Sequence, residues 1–328
     1  MSEKTYITKE EGRKLNFNPE YFQSFEHESS QPKTMPEHTL VKAFLKLSEY
    51  DKMVTLEVIK FLHQFTFATK DQLTRLLDYK GVDPVGLDDN LDRMLEDREI
   101  NSFFLGQMGS RDDVPEDAFI MYCMDFGGLA ILKHFTNNDW LTWFTTDSVR
   151  KSGLVQKYLS TVEFYLALLK AQGSNLRAFK AITDIAFGHR DIRFSGTFEI
   201  MQGYTSHPFI LESVRSYDLP MDWRDKIDNK LVHFVCNPKH WGKYYSKEPV
   251  YIFLCENERD ALEAADLFYR RTEGKGQFRL ITDDQVALGL DKAKFFKYVP
   301  SPDNVEGEAP KVGTLQAVKS TLLAGSSD

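Results

Sequence analysis

The residues best suited to bind a metal are His233, Cys236 and His240, whose spacing would place all three on one face of a helix. Imidazole nitrogens and a thiolate are ligands that Zn²⁺ prefers, and Cys255 or a carboxylate could complete a tetrahedral set. Pro238 lies inside this window and interrupts a helix, and no Cys-x-x-Cys pair accompanies the three residues. We therefore predict core and helix-end roles for them, and no metal.

A second candidate for chemistry is the glycine-rich stretch Gly274-Lys275-Gly276. It completes neither a phosphate-binding loop nor a dinucleotide-binding fingerprint, because no strand leads into it with a helix after it. The nucleophile elbow G-x-S-x-G, the zinc motif H-E-x-x-H and the EF-hand loop are also missing from the sequence. The sequence therefore predicts no cofactor and no catalytic residue of these classes.

The composition is typical of a globular protein, with 328 residues, 42% hydrophobic and 27% charged. This length favours two domains. No apolar run approaches the roughly 18 residues of a membrane-spanning helix, and the charged N-terminus predicts no secretory signal. Three scattered cysteines do not suggest a disulfide framework. We expect a cytoplasmic protein with no membrane partner.

The charge is unevenly distributed along the chain. The net charge of −8 argues against an unselective nucleic-acid binder. Residues 40–135 contain 11 basic and 17 acidic side chains, whereas residues 140–300 contain 23 basic and 20 acidic ones. Any basic surface is therefore expected in the second half.

Periodic apolar residues predict the elements of residues 39–136. Helical spacing covers 40–47, 53–65 and 87–95, and Thr69 and Gln72 form a capping box that opens a short helix between the last two. Two predicted strands then flank a polar segment. This order of elements, helix, short helix, turn, helix and hairpin, is typical of a winged helix-turn-helix. Such a domain presents one helix to a DNA groove while the tip of its hairpin contacts the DNA backbone.

The helix after Gly86 is the candidate recognition helix. Asn90 and Arg93 share a face that we expect to point outward, and such side chains read adenine and guanine edges. Phosphate contacts are expected from cations nearby. The predicted DNA-binding residues are Lys70, Arg75, Lys80, Asn90, Arg93 and Arg111. Five carboxylates on the same helix would repel a DNA backbone, so docking of a protein partner or dimerisation through an acidic winged helix remains an alternative.

The remaining segments complete the predicted architecture. Residues 1–38 are predicted to be a flexible arm, 137–153 a linker and 301–328 a tail, with one short helix possible over Leu315–Leu323. Residues 154–300 follow the order helix, three strands, helix, strand, helix, strand, which predicts a mixed sheet with helices on its faces. The fold class is α+β, an N-terminal winged helix-turn-helix followed by a mixed-sheet α/β domain.

This second-half order resembles the restriction-endonuclease-like fold. The whole chain resembles the replication-relaxation family of plasmid and mobile-element proteins of Gram-positive bacteria. The similar stretches, all between Val54 and Asp284, are ATKDQLTRLL, LDRMLEDREI, IMYCMDFGGLAILKHF, KYLSTVEFYLALLK, IRFSGTFEI and HPFILESVRS. The resemblance implies a protein that binds plasmid or element DNA and assists its replication, relaxation or transfer.

The resemblance also implies where a nuclease site would lie. Nucleases of this fold hold divalent ions with an acidic residue on the second strand and Glu-x-Lys on the third. The third strand here reads Glu-Ser-Val-Arg from Glu212 to Arg215, so a valine stands at the lysine position and Arg215 should point to the opposite face. The second strand offers only Asp191 and Glu199, at its two ends. We therefore predict a degenerate nuclease site at Asp191, Glu199, Glu212 and Arg215.

Together these observations predict a non-catalytic DNA-binding accessory protein of a plasmid, integrative element or phage, acting in replication, DNA relaxation or transfer, or in their regulation. The expected partners are double-stranded DNA, replication or transfer proteins, and a second copy of the chain. An acidic adaptor for proteins and a metal-dependent nuclease stay open as alternatives.

A double substitution separates the possible contact surfaces. Arg93→Ala with Arg111→Ala should weaken DNA binding without altering the melting temperature. Unchanged binding would move the contact surface to the second domain, near Arg177, Lys180, Arg190 and Arg193.

Overall fold

The computed structural model describes residues 6–15, 21–25, 36–107, 114–138, 141, 152–301, 312–319 and 323. The chain divides into two compact units, residues 1–162 and 163–328, so the second unit starts nine residues later than the predicted domain start at 154. The predicted linker, 137–153, lies mostly outside the described residues. Within those residues, no helix combines the length and the apolar character needed to cross a bilayer.

The first unit combines helices with one small antiparallel sheet. Its helices are α1 (Lys9–Arg13), α2 (Glu37–Leu45), α3 (Glu49–Phe65), α4 (Lys70–Tyr79), α5 (Leu87–Glu96), α6 (Phe126–Thr136) and the first half of α7 (Ser152–Gln172). Its strands are β1 (Phe22–Phe25), β2 (Phe67–Ala68), β3 (Ile100–Gly106) and β4 (Met121–Met124). The sheet order is β1-β3-β4-β2, so the short strand between α3 and α4 pairs with the second strand of the hairpin.

Local signals fix where these helices begin. Ser48 accepts a hydrogen bond from the Asp51 amide at 3.1 Å and caps α3. The capping box predicted for α4 is confirmed, because Thr69 and Gln72 exchange hydrogen bonds of 2.9 and 3.2 Å. At the start of α5, Gly86 has a φ of +80°, which glycine adopts without a Cβ clash.

Residues 6–15 and 21–25, expected in a flexible arm, are instead part of the first unit. The Ile7 amide donates to the Leu105 carbonyl at 2.9 Å, and β1 pairs with β3 along its whole length. Ile7, Leu15 and Tyr21 are buried beside Phe103. Because this stretch is mostly polar, its three apolar side chains did not indicate a core. They form a cluster only together with residues of the β3–β4 hairpin. Glu37 and His38, the last two residues of the predicted arm, begin helix α2, and residues 1–5, 16–20 and 26–35 lie outside the described residues.

The second unit is built on a seven-stranded mixed sheet. Its strands are β5 (Leu176–Phe187), β6 (Arg190–Gln202), β7 (Thr205–Val214), β8 (Val250–Cys255), β9 (Phe278–Thr282), β10 (Phe295–Val299) and β11 (Thr314–Val318), in the spatial order β11-β10-β9-β8-β7-β6-β5. β7, β8 and β9 run parallel, and the other neighbours are antiparallel. Its helices are α8 (Asp222–Lys226), a π-helical turn (Ile227–Leu231), α9 (Val232–Val235), α10 (Pro238–Trp241), α11 (Glu258–Thr272) and α12 (Asp283–Ala287).

Each face of this sheet is covered by a helix. Side chains alternate along a strand, so Ile210 and its neighbour Leu211 on β7 point to opposite faces. Ile210 belongs to an apolar cluster with Phe268 of α11, and Leu211 to a second cluster with Phe164 of α7. The α+β class and the mixed sheet with helices on its faces are therefore confirmed.

The predicted C-terminal tail contributes the last strand of the sheet. Residues 314–318, where a short helix was considered, form β11, which pairs antiparallel with β10. Leu323 is buried in the cluster that contains Phe164, and its carbonyl accepts a hydrogen bond from Gln172 Nε2 at 3.0 Å. Residues 302–311, 320–322 and 324–328 lie outside the described part of the chain.

Candidate functional site

The outward face of α5 differs from the predicted one. Asn90 is only 5% exposed, and its amide donates to Asp51 Oδ1 of α3 at 3.1 Å. Asn90 lies three residues after Leu87 and four before Met94, so the helical period places it within the buried stripe. The expectation that Asn90 points outward is therefore wrong. The exposed residues of α5 are Asp88, Asp89, Asp92 and Glu96.

Arg93 also turns towards the protein. Its Nη2 donates to Thr55 Oγ1 at 2.6 Å, and its Nη1 donates to Glu99 at 3.0 Å and Asp97 at 3.3 Å. Glu99 is buried, so removal of Arg93 would leave a buried carboxylate without its cation. The expectation that Arg93→Ala leaves the melting temperature unchanged is incompatible with these contacts.

The other predicted DNA contacts of the first unit already pair with carboxylates. Lys70 contacts Asp88, Arg75 lies 2.9 Å from Asp71, and Lys80 lies 2.7 Å from Glu57. In each pair the carboxylate neutralises the cation, which weakens the attraction of that cation to a DNA phosphate. Arg111 lies outside the described residues. The role of these residues in DNA binding stays a prediction.

Two buried carboxylates join α5, β3 and α6. Burial raises the pKa of Glu99 to about 7, although the charge of Arg93 acts in the opposite direction. Burial also raises the pKa of Asp125, whose carboxylate accepts two hydrogen bonds from Arg98, at 2.9 and 3.0 Å. Arg98 lies over the Phe126 ring, 4.8 Å from its centroid. We therefore expect the stability of the first unit to depend on pH.

Raising the pH from about 5 to about 8 is expected to destabilise the first unit through Glu99. The pKa of Glu99 is about 7 in the folded protein, against a reference value of 4.5. Between these values the folded state binds more protons than the unfolded state, so stability is lost as the pH rises, by about 3 kcal/mol in total. Urea unfolding followed by circular dichroism at both pH values measures this loss.

Two variants isolate the contribution of Glu99. Glu99→Gln should flatten the pH dependence, because the amide does not titrate. Glu96→Gln, a change at the exposed carboxylate that ends helix α5, should keep the wild-type slope. An unchanged slope in Glu99→Gln would assign the pH dependence to other groups.

Glu212 is buried and already holds a cation. The ladder between β6 and β7 ends at Gly196 and Leu211. Beyond that point, the Glu212 carboxylate accepts a hydrogen bond from the Ser195 amide at 3.3 Å and lies 2.5 Å from Lys226 Nζ of α8. A lysine therefore stands beside this glutamate, although Glu-x-Lys is absent from the strand.

The sequence interpretation missed Lys226, although one signal points to it. Lys226 lies between buried Trp223 and buried Ile227 on the first helix after β7. This spacing places Lys226 next to the side of the helix that packs on the sheet.

The predicted nuclease-site residues do not converge. Asp191 is exposed, and Glu199 accepts a hydrogen bond from Ser206 Oγ at 2.6 Å. Nearby, two hydrogen bonds from Arg193 hold the pKa of Asp184 below its usual value. Throughout the described part of the chain, no three His, Cys, Asp or Glu side chains gather as a metal site requires.

Arg215 points to the opposite face from Glu212, as the strand period predicted. It is fully buried, and its guanidinium donates to both Asp283 oxygens at 2.6 and 3.2 Å. Further hydrogen bonds reach Ser213 Oγ at 3.0 Å and the Leu254 carbonyl at 3.2 Å. Arg215 is therefore a structural residue that ties β7 to β8 and to the start of α12.

The three candidate zinc ligands make separate contacts. His240 uses one ring nitrogen on the His233 carbonyl, at 3.0 Å, and the other on the Asn237 amide, at 3.3 Å. The Cys236 thiol donates to the Thr272 carbonyl at 3.8 Å, and burial raises the pKa of this thiol. Among the residues that the structure describes, these three side chains form no group that could hold a metal ion.

A surface with unpaired cations lies where the β5–β6 turn packs against residues 229–247. Tyr244 donates its hydroxyl to the Ala186 carbonyl, and Arg190 donates to the Asn229 carbonyl at 2.5 Å. Neither 185–190 nor 229–247 contains an Asp or a Glu. We call these two segments the basic surface. Its cations are Arg190, Lys230, Lys239, Lys243 and Lys247, and its histidines are His189, His233 and His240.

The five cations are all exposed and form no ion pair within the residues that the structure describes. Cations at the border of this surface are neutralised, because Arg193 pairs with Asp184 and Lys226 with Glu212. Of the residues predicted as a second contact surface, Arg190 belongs to the basic surface, whereas Arg177 lies near the other end of β5. The run without carboxylates at 229–247 is visible in the sequence, and we overlooked it there.

Searches of protein-family models, curated proteins and solved structures return no match to this chain. The resemblance to the replication-relaxation family therefore stays a prediction, and the contacts and charges of the two units carry the functional argument.

Proposed function

We propose that this chain is a non-catalytic, DNA-associated accessory protein whose basic surface contacts the phosphate backbone. One observation carries the proposal: two packed segments hold five unpaired cations and no carboxylate. Lysine and arginine at such a surface displace counterions from DNA, which supplies affinity without sequence specificity. This contact lies on the second unit, within residues 140–300, where 23 basic side chains outnumber 20 acidic ones.

The first unit is proposed to be a winged helix that contacts a protein. Two features support a winged-helix topology: β2 pairs with β4, and the elements follow the order α3, β2, α4, α5, β3 and β4. The exposed side chains of α5 are all acidic, so a DNA groove would repel this helix. A basic surface on a replication or transfer protein, or on a second copy of this chain, would complement it.

The second unit is proposed to have a restriction-endonuclease-like fold without nuclease chemistry. Helix α7, the antiparallel strands β5, β6 and β7, and the parallel strand β8 support that fold. Glu212 is neutralised by Lys226, and among the described residues it belongs to no group of three His, Cys, Asp or Glu side chains, whereas a divalent cation needs several oxygen ligands. Action on plasmid, integrative-element or phage DNA is part of the proposal and rests on the sequence resemblance.

Charge reversal tests the proposed contact with DNA. The double variant Lys239→Glu/Lys243→Glu should bind a duplex of about 20 base pairs at least tenfold more weakly, because two attractions become repulsions. Wild-type affinity should fall steeply between about 50 and 200 mM salt. Fluorescence anisotropy with the full chain measures both effects.

The matched control reverses two exposed lysines elsewhere on the same unit. Lys292→Glu/Lys294→Glu makes the same change in net charge and should leave affinity within about twofold of wild type. Equal loss in both double variants would show that net charge, and not the basic surface, sets the affinity. Mg²⁺-dependent cleavage that disappears in Glu212→Gln would contradict the non-catalytic part of the proposal.

A further inference from the structure

Tyr244 is the exposed aromatic residue of the basic surface. Its side chain is 47% exposed, whereas the neighbouring Trp241 and Tyr245 pack against the apolar cluster of the second unit. The Tyr244 hydroxyl donates to the Ala186 carbonyl on β5, so its position is fixed at both ends. Lys243 precedes the ring directly in the chain. The ring is therefore held in place on the segment that carries Lys239, Lys243 and Lys247.

We propose that Tyr244 stacks on a nucleobase, and that the basic surface therefore prefers an unpaired nucleic-acid strand to a duplex. This inference rests on the proposed function. In a duplex each base face is covered by its neighbours, whereas an unpaired strand can place a base against an aromatic ring. Because the hydroxyl already holds the ring in place, stacking costs little further conformational entropy.

The surrounding cations define the class of ligand further. Lys239, Lys243 and Lys247 are point charges that contact phosphates without reading a base. Stacking is also tolerant of sequence, since every base has a π-face. The ligand is thus a single strand of mixed sequence, either DNA or RNA, bound through bases and phosphodiesters.

Three proteins and three probes test this inference. The full chain, Tyr244→Ala and Tyr244→Phe are titrated into labelled DNA and RNA single strands and a DNA duplex of equal length. Tyr244→Ala should bind at least one single strand about tenfold more weakly and bind the duplex as wild type does. Tyr244→Phe loses the hydrogen bond to Ala186 but keeps the ring, so it should stay within about threefold of wild type.

The outcomes distinguish base stacking from charge attraction as the source of the affinity. A selective loss in Tyr244→Ala with DNA, RNA or both supports the inference and identifies the strand that is bound. Equal losses for single strand and duplex, no loss with either strand, or an equal loss in Tyr244→Phe would overturn it. The effect of Lys239→Glu/Lys243→Glu on duplex binding does not depend on the Tyr244 ring. The proposed function can therefore be supported even when the stacking inference fails. If the wild type binds none of the probes, both fail.

Discussion

Arg215→Met is expected to destabilise the second unit by about 3–5 kcal/mol, because it removes one partner of a buried ion pair. The guanidinium is fully buried and donates twice to Asp283, at 2.6 and 3.2 Å. Without it, Asp283 keeps a largely buried negative charge, and the Leu254 carbonyl loses a donor. Thermal and urea unfolding of the full chain measure the loss.

Two further variants test the cause of this destabilisation. Arg215→Met/Asp283→Leu removes both charges and should recover most of the lost stability, because no carboxylate is then left unpaired. Arg193→Met breaks an exposed pair with Asp184 and should cost less than about 1 kcal/mol. A double variant as unstable as Arg215→Met would assign the loss to packing instead of charge.

Gly128→Ala is expected to destabilise the first unit by about 3 kcal/mol, through a clash between rigid parts of the backbone. A Cβ at this position would lie 2.3 Å from the Glu99 carbonyl oxygen and 3.0 Å from Met124 Cγ. The adjacent Gly127 allows the same close approach, and its amide donates to the Arg98 carbonyl at 3.0 Å. Neither helix α6 nor strand β3 can shift alone to make room.

A glycine in open space provides the control for this substitution. Gly81 has a φ of +72°, and no atom lies within 4 Å of the position that its Cβ would take. Gly81→Ala should therefore cost only the backbone strain, about 1–2 kcal/mol. Hydrogen exchange of peptides from β3 and α6 should rise in Gly128→Ala and stay unchanged in Gly81→Ala. Similar exchange in both variants would contradict the clash.

Most helices and strands can be predicted from the sequence, because their signals are local. The capping box of Thr69 and Gln72 placed the start of α4, and the apolar period placed α3 and α5. The predicted order of helices and strands over 154–300 begins with α7 and the three strands β5, β6 and β7. The alternation of side chains along a strand also predicted that Glu212 and Arg215 point to opposite faces of the sheet. Each of these inferences needs only residues within a few positions of one another.

Which charged side chains are free to contact a ligand depends on contacts between residues that are distant in the chain. Asn90 and Lys226 carry polar groups on amphipathic helices, and their partners, Asp51 and Glu212, lie far away in sequence or on another element. A charge count over a domain does not say which cations are neutralised, because pairing depends on distances between distant residues. The basic surface likewise exists only because the β5–β6 turn packs against 229–247, segments about forty residues apart in the chain.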